Sequence, residues 1–253
     1  MYFDSHAHYD DERFDEDRVE LLGRLPLEGV DYVVNAAASM ESAYTSVELA
    51  NTYKYIYATV GVHPHEVESM TEKDIGILRE LAKNAKVVAV GEIGLDYYYD
   101  FAPRELQRKW FSIQLELAKE LNFPVVIHSR DACQETFDMI TASGIQQGVI
   151  HCFAGSKELA KEYVKKGFYI GIGGAVTFKN ARKTVEVVDA IPLESILIET
   201  DCPYLTPVPH RGKRNDSSHL SHVVDKIAEI KNISVQEVSN ITSYNAKKLF
   251  KIT

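Results

Sequence analysis

The sequence predicts an α/β protein of the (β/α)8, TIM-like barrel type, formed as one domain over residues 1–253. Short runs rich in β-branched residues alternate with longer amphipathic stretches, as repeated βα units around a parallel sheet require. Eight such runs can be counted, the number that closes a barrel of this type. The length suits a single barrel domain, and 45% hydrophobic content supplies a sizeable core.

In chain order the strands are read at residues 1–5, 31–36, 56–61, 87–92, 125–128, 148–151, 168–172 and 195–199. Between each pair lies a segment able to form one helix. Residues 103–122 illustrate the type: Leu106, Trp110, Ile113, Leu117 and Leu121 recur at three- and four-residue spacing, Pro103 suits a first turn, and Pro124 stops the run. That stripe is a core-packing face, not a cofactor box. After the last strand, residues 217–253 read as two or three helices, with Ser234 and Glu237 spaced as a capping box. No linker, repeat or low-complexity segment interrupts the pattern.

Composition narrows the class. The first residues offer neither a basic region followed by an apolar one nor a run long enough to cross a bilayer, so a soluble cytoplasmic protein that does not engage a membrane is expected. Three cysteines, Cys133, Cys152 and Cys202, lack CxxC spacing and suggest neither a disulfide framework nor a zinc finger. A formal charge of -9 argues against broad, sequence-blind adhesion to nucleic acid. A phosphodiester substrate stays open, because bound divalent cations would neutralise carboxylates locally.

In parallel barrels the functional end is the C-terminal end of the strands. His6 and His8 follow the first strand, His63 and His65 the third, Glu92 closes the fourth, His128 ends the fifth, His151 ends the sixth, and Asp201 follows the eighth. One such histidine is ordinarily a structural residue with a satisfied hydrogen bond. Six strands punctuated at the same end form a different pattern. His6 and His8, two apart on an extended strand, point to one face and can present two imidazoles to one cation. With Glu92, His128, His151 and Asp201 the set comprises four imidazoles and two carboxylates. It suits zinc, manganese or a related divalent ion such as magnesium, and can hold two ions bridged by Glu92.

These residues fall within six ordered motifs: Phe3-Asp4-Ser5-His6-Ala7-His8, Gly61-Val62-His63-Pro64-His65, Gly91-Glu92-Ile93-Gly94-Leu95-Asp96-Tyr97, Pro124-Val125-Val126-Ile127-His128-Ser129-Arg130, His151-Cys152-Phe153-Ala154-Gly155 and Glu199-Thr200-Asp201-Cys202-Pro203-Tyr204-Leu205. Over essentially its whole length the chain resembles the TatD-related metal-dependent hydrolases of the amidohydrolase-like barrel superfamily. The resemblance implies a nuclease-like hydrolase acting on DNA ends, with some bacterial relatives implicated in removing D-amino acids from tRNA. It also implies that His6, His8, Glu92, His128, His151 and Asp201 form the metal shell.

A metal lowers the pKa of its water toward neutrality, so the expected nucleophile is that water and no covalent enzyme intermediate is needed. Asp201 would ligate one metal and orient or deprotonate the water, while Glu92 bridges or positions the ions. The leading expectation is a deoxyribonuclease acting exonucleolytically on single-stranded DNA. The alternative is a metal-dependent esterase on aminoacylated tRNA, and a third reading, from another class, is a metal-stabilised scaffold without turnover. No obligate protein partner is indicated.

Substrate contacts are expected from His63, Arg130, Arg211 and Lys213, the last two within Arg211-Gly212-Lys213-Arg214-Asn215. The family commonly follows that loop with Glu-Pro, where this chain has Asp216-Ser217. Asp96 is expected to hydrogen-bond a ligand histidine and fix its tautomer. Tyr97, Tyr98 and Tyr99 can stack on a base, although packing is the expected role for at least two of them. Gly171-Ile172-Gly173-Gly174 lacks the lysine and spacing of nucleotide-binding loops and reads as close backbone packing. Cys152 is set aside as a nucleophile because a neighbour of His151 on a strand would face the other way.

Overall fold

A computed structural model of the chain describes residues 1–253. The expected alternation is present: β1 (Tyr2–Ala7), α1 (Arg18–Arg24), β2 (Val30–Asn35), α2 (Met40–Thr52), β3 (Ile56–Val60), α3 (Glu72–Leu81), β4 (Val87–Asp96), α4 (Arg104–Leu121), β5 (Val125–Arg130), α5 (Cys133–Ser143), β6 (Gly148–Ile150), α6 (Lys157–Lys165), β7 (Tyr169–Ile172), α7 (Arg182–Ala190) and β8 (Ile196–Ile198), then α8 (Leu220–Lys231) and α9 (Val235–Phe250). The eight strands follow one another in chain order, which is the (β/α)8 class the sequence predicts.

Contacts gather the chain into two compact units, Met1–Asn35 with Cys152–Thr253, and Ala36–His151. In the first, β1 pairs in parallel with β2, and β7 with β8. The end of β1 meets the segment after β8 through a parallel bridge between Ala7 and Cys202, flanked by bonds from Asp201 N to His6 O (2.9 Å) and from His8 N to Cys202 O (2.8 Å). Helix α9 closes this sheet from outside. Phe250 stacks on Phe3, and buried Asn245 donates to the carbonyls of Leu193 and Ile196, both at 2.9 Å.

In the second unit β3 pairs with β4, β4 with β5, and β5 with β6, all parallel. Every residue of β4 is buried, as expected for a parallel strand covered on both faces. Helix α4 packs against it, but its buried face is rotated from the expected stripe. Trp110 and Leu117 are buried, whereas Leu106, Ile113 and Leu121 are only half-buried. Buried Gln107 and Gln114 share the inner face instead. Gln107 accepts from Asp96 N and donates to Asp96 O, while Gln114 does the same for Val62. These amides satisfy the backbone N–H and carbonyl of Asp96 and of Val62 from the helix side. Pro103 caps α4 rather than lying in its first turn.

Strand ends differ from expectation where side chains matter most. β1 continues through His6, β4 runs past Glu92 to Asp96, and β5 runs past His128 to Arg130, so these three residues lie within strands. Gly94 permits the extension of β4. Its φ is 151°, and a Cβ there would lie 1.9 Å from the carbonyl oxygen of His128. By contrast β6 stops at Ile150, leaving His151 and Cys152 in a turn where Cys152 has φ 44°. The strand-alternation argument about Cys152 therefore does not apply; its N–H donates to Glu199 Oε1. The glycine run packs as expected, since a Cβ on Gly171 would lie 2.6 Å from Glu199 Oε2 and one on Gly174 would lie 2.2 Å from Leu205 O. Ser234 caps α9 by accepting from Glu237 N at 3.2 Å.

Candidate functional site

The first unit brings together His6, His8 and Asp201. The Nε2 atoms of His6 and His8 are 3.1 Å apart, and Asp201 Oδ1 lies 3.8 Å from the first and 3.4 Å from the second. Strand alternation points both imidazoles to one face, and the bridge to Cys202 brings Asp201 alongside. Asp201 has φ 56°, a left-handed conformation that Asp tolerates better than most residues.

Behind this set lies a buried carboxylate that motif reading did not single out. Asp4 accepts from Thr200 Oγ1 and Ser217 Oγ, both at 2.6 Å, and from the backbone N–H of Thr200 at 3.0 Å and His6 at 3.3 Å. Burial drives its pKa up from 3.8 to about 7, against these hydrogen bonds, which favour the charged form. Asp4 thus ties together the chain just before His6, the residue before Asp201, and Ser217, which stands where the family commonly has proline. The only sequence signal was Asp4's inclusion in the first motif.

The second unit assembles its own donors around one oxygen. Glu92 Oε1 is 2.8 Å from His128 Nδ1, 3.3 Å from His151 Nε2 and 3.6 Å from His63 Nε2. Asp96 Oδ2 receives His128 Nε2 at 3.0 Å and His65 Nε2 at 2.9 Å. With Nε2–H donating to that carboxylate and Nδ1–H to Glu92 Oε1, the His128 ring is held in its protonated form, and loss of the Nδ1 proton would free that lone pair for a cation while Asp96 keeps the other nitrogen protonated. Burial alone would lower the His128 pKa, yet hydrogen bonds to Asp96 and Glu92 outweigh it and raise the value. The Asp96 carboxyl is likewise pressed upward by burial but held well below its ordinary range by His128, His65 and the N–H of Tyr99.

Both sets fit a divalent cation by the chemistry of their donors. Lone pairs of imidazoles and carboxylates converge on small volumes, and His63, Glu92 and His128 each place a ligand atom within 4.8 Å of the other two. His63, expected to touch phosphate, therefore lies among metal-competent donors, with its Nδ1 also accepting from His65 N at 3.2 Å. Glu199, absent from the expected set, is fully buried against Gly171 and receives Cys152 N.

The remaining expected contacts divide. Arg130 is exposed, with its guanidinium 4.0 Å from the Tyr98 ring centroid and 4.6 Å from that of Tyr99. Tyr98 and Tyr99 are 58% and 47% exposed, which corrects the expectation that at least two of the three tyrosines pack inside. Tyr97 alone is half-buried, bonded to Glu135 at 2.7 Å. Arg211 donates to Thr206 O at 3.0 Å over the Phe178 ring, and Lys213 is exposed. Arg214 is engaged elsewhere, with both amino groups on Asp17 at 2.8 and 2.6 Å.

Comparison with known proteins gives the family of the chain. The family described as TatD related DNase matches residues 3–251. An uncharacterized metal-dependent hydrolase, YabD, of Bacillus subtilis (strain 168) is 44% identical over 100% of both chains. A 3'-5' ssDNA/RNA exonuclease, TatD, of Rahnella sp. (strain Y9602) is 34% identical over 95% of each. Among solved structures, the TatD homolog YjjV of Escherichia coli K12 superposes with a TM-score of 0.94 at 32% identity, covering 100% of this chain and 98% of that one. With its predicted donors gathered at strand ends and the match running nearly end to end, this chain belongs to the TatD-related family of metal-dependent hydrolases.

Proposed function

We propose that this hydrolase cleaves phosphodiester bonds at single-stranded DNA ends, using His6, His8 and Asp201 in one unit and Glu92, His128 and His151 in the other as ligands for two divalent ions. The observation that carries the reading is the paired donor geometry: three donors within 3.8 Å of one another around Asp201, and three imidazoles within 3.6 Å of Glu92 Oε1. Held by these residues, divalent ions would supply a nucleophilic water at neutral pH and polarise a phosphoryl oxygen.

The chain's own groups divide the remaining work. Asp201, partly exposed and held beside two imidazoles, orients the attacking water and takes its proton. Glu92 holds the ligand histidines in register, and Asp96 fixes the orientation of His128. On the substrate side, exposed Tyr98, Tyr99 and Phe101 adjoin His65, whose ring lies 5.4 Å from Tyr99 and 4.8 Å from Phe101. Tyr99 and Phe101 are themselves stacked at 5.2 Å. Exposed aromatic faces beside Arg130 suit unstacked bases and a phosphate. The Rahnella relative's description as a single-strand exonuclease supports the same substrate class.

The test is cleavage of end-labelled single-stranded DNA with added Mg2+, Mn2+ or Zn2+, beside an Asp201→Asn variant and a chelator control. Stepwise release of nucleotides, lost in both controls, is expected. Metal-loaded wild-type protein that leaves DNA intact but frees amino acid from aminoacylated tRNA would replace this reading with the ester one.

A further inference from the structure

Of the nine histidines in the chain, six belong to the motifs already described. The other three, His210, His219 and His222, meet in the first unit. His210 lies in the loop after β8, His219 ends a short 3-10 turn and precedes α8, and His222 sits in the first turn of α8. All three are half-buried and reachable from solvent. The Nε2 atoms of His210 and His222 are 3.1 Å apart, and the His219 ring stacks on His210 at 4.7 Å.

The surroundings fix the chemistry of His219. Its Nδ1 is 2.9 Å from Asn215 Oδ1. Asn215 is fully buried, and its Nδ2 donates to the carbonyls of Thr200 at 3.0 Å and Tyr204 at 2.8 Å, so the atom facing His219 must be the amide oxygen. An amide oxygen only accepts, which puts the proton on Nδ1 and leaves Nε2 with its lone pair. Two imidazole nitrogens bound to one ion at ordinary zinc distances stand about 2.9–3.4 Å apart, depending on the angle between them. The His210–His222 separation falls inside that range.

We propose that His210 and His222, supported by the His219 ring stacked on His210, form a further two-imidazole metal site selective for ions that favour imidazole, of which zinc is the type, over magnesium, calcium or manganese. None of its residues belongs to the two ligand sets around Asp201 and Glu92, so the site stands whether or not the hydrolytic reading holds.

Metal-stripped protein titrated with Zn2+ alone tests it, with bound equivalents counted by dialysis and elemental analysis and the histidine 15N resonances followed in parallel. Wild type should hold one more equivalent than the H210Q/H222Q double variant, and the wild-type His210 and His222 resonances should move on saturation. H219Q should weaken that equivalent by roughly 10-fold, and far-UV circular dichroism should show both variants folded. Equal stoichiometry in folded wild type and double variant, or wild-type His210 and His222 resonances unmoved at saturating zinc, overturns the proposal.

Discussion

The two ligand sets are built in different ways. Around His6, His8 and Asp201 the support is a buried carboxylate, Asp4, receiving hydroxyls and backbone N–H groups. Its neighbouring aromatic, Tyr204, lies beneath Arg13, with the guanidinium 4.1 Å from the ring centroid. Around Glu92, His128 and His151 the support is a charged relay in which Asp96 holds two imidazoles. That relay continues through His65 to aromatic rings about half exposed. The first set is braced by neutral donors, which favours a fixed geometry; the second couples its donors to a surface that can meet a ligand. Under the proposed function, this difference suits the Asp201 set to water activation and the Glu92 set to substrate engagement.

The largest expected effect comes from removing a member of either set. Asp201→Asn and Glu92→Gln should each reduce metal-supported cleavage by about 10³-fold or more. If the division of labour is right, Glu92→Gln should lose turnover in proportion to lost metal, whereas Asp201→Asn should lower kcat by more than any loss of metal from the His6–His8 set accounts for. Elemental analysis beside steady-state kinetics separates the two.

A pH series on Asp4→Asn probes the brace. The native carboxyl keeps its proton up to about 7, whereas an ordinary aspartate loses it near 3.8. Between those values the native state binds more protons than the unfolded one, so wild-type stability falls as pH rises. This contribution is fully present below about 4 and lost above about 7. The variant carries no titrating group there. Its stability relative to wild type should therefore climb across that window by up to about 4 kcal/mol, read from urea unfolding of metal-stripped protein at pH 4 to 8. A flat difference would show that Asp4 is already charged throughout.

Asp96→Asn probes the relay. Loss of the carboxylate should weaken metal binding by about 10–100-fold. It should also lower the His128 pKa, since Asp96 is the leading group raising it against burial; NMR titration of metal-free protein reads that shift. The smallest effect is expected at the exposed wall. Tyr98→Ala with Phe101→Ala should raise KM for a single-stranded oligonucleotide about 10-fold and leave hydrolysis of a small chromogenic phosphodiester unchanged. Equal losses on both substrates would assign these rings to packing.

The sequence by itself determined the β/α alternation, the chain order of the strands and the residue types able to bind metal at their ends. These follow from local periodicity and from side chains a few residues apart, as His6 and His8 show on one strand. Tertiary structure decided what depends on atoms far apart in the chain. Asp4 meets Ser217 across 213 positions, and Gln114 satisfies Val62 across 52. No window of sequence contains such pairs. Gly94 lengthens β4 only because His128 O passes within the space of a Cβ. Tyr98 and Tyr99 face outward because β4 continues to Asp96 before the chain turns, a strand end that a count of β-branched residues placed at Glu92. His210, His219 and His222 became a cluster only when the loop after β8 folded back onto the start of α8. Local pattern specifies which groups a strand end offers, while long-range packing specifies which of them share a proton, a cation or solvent.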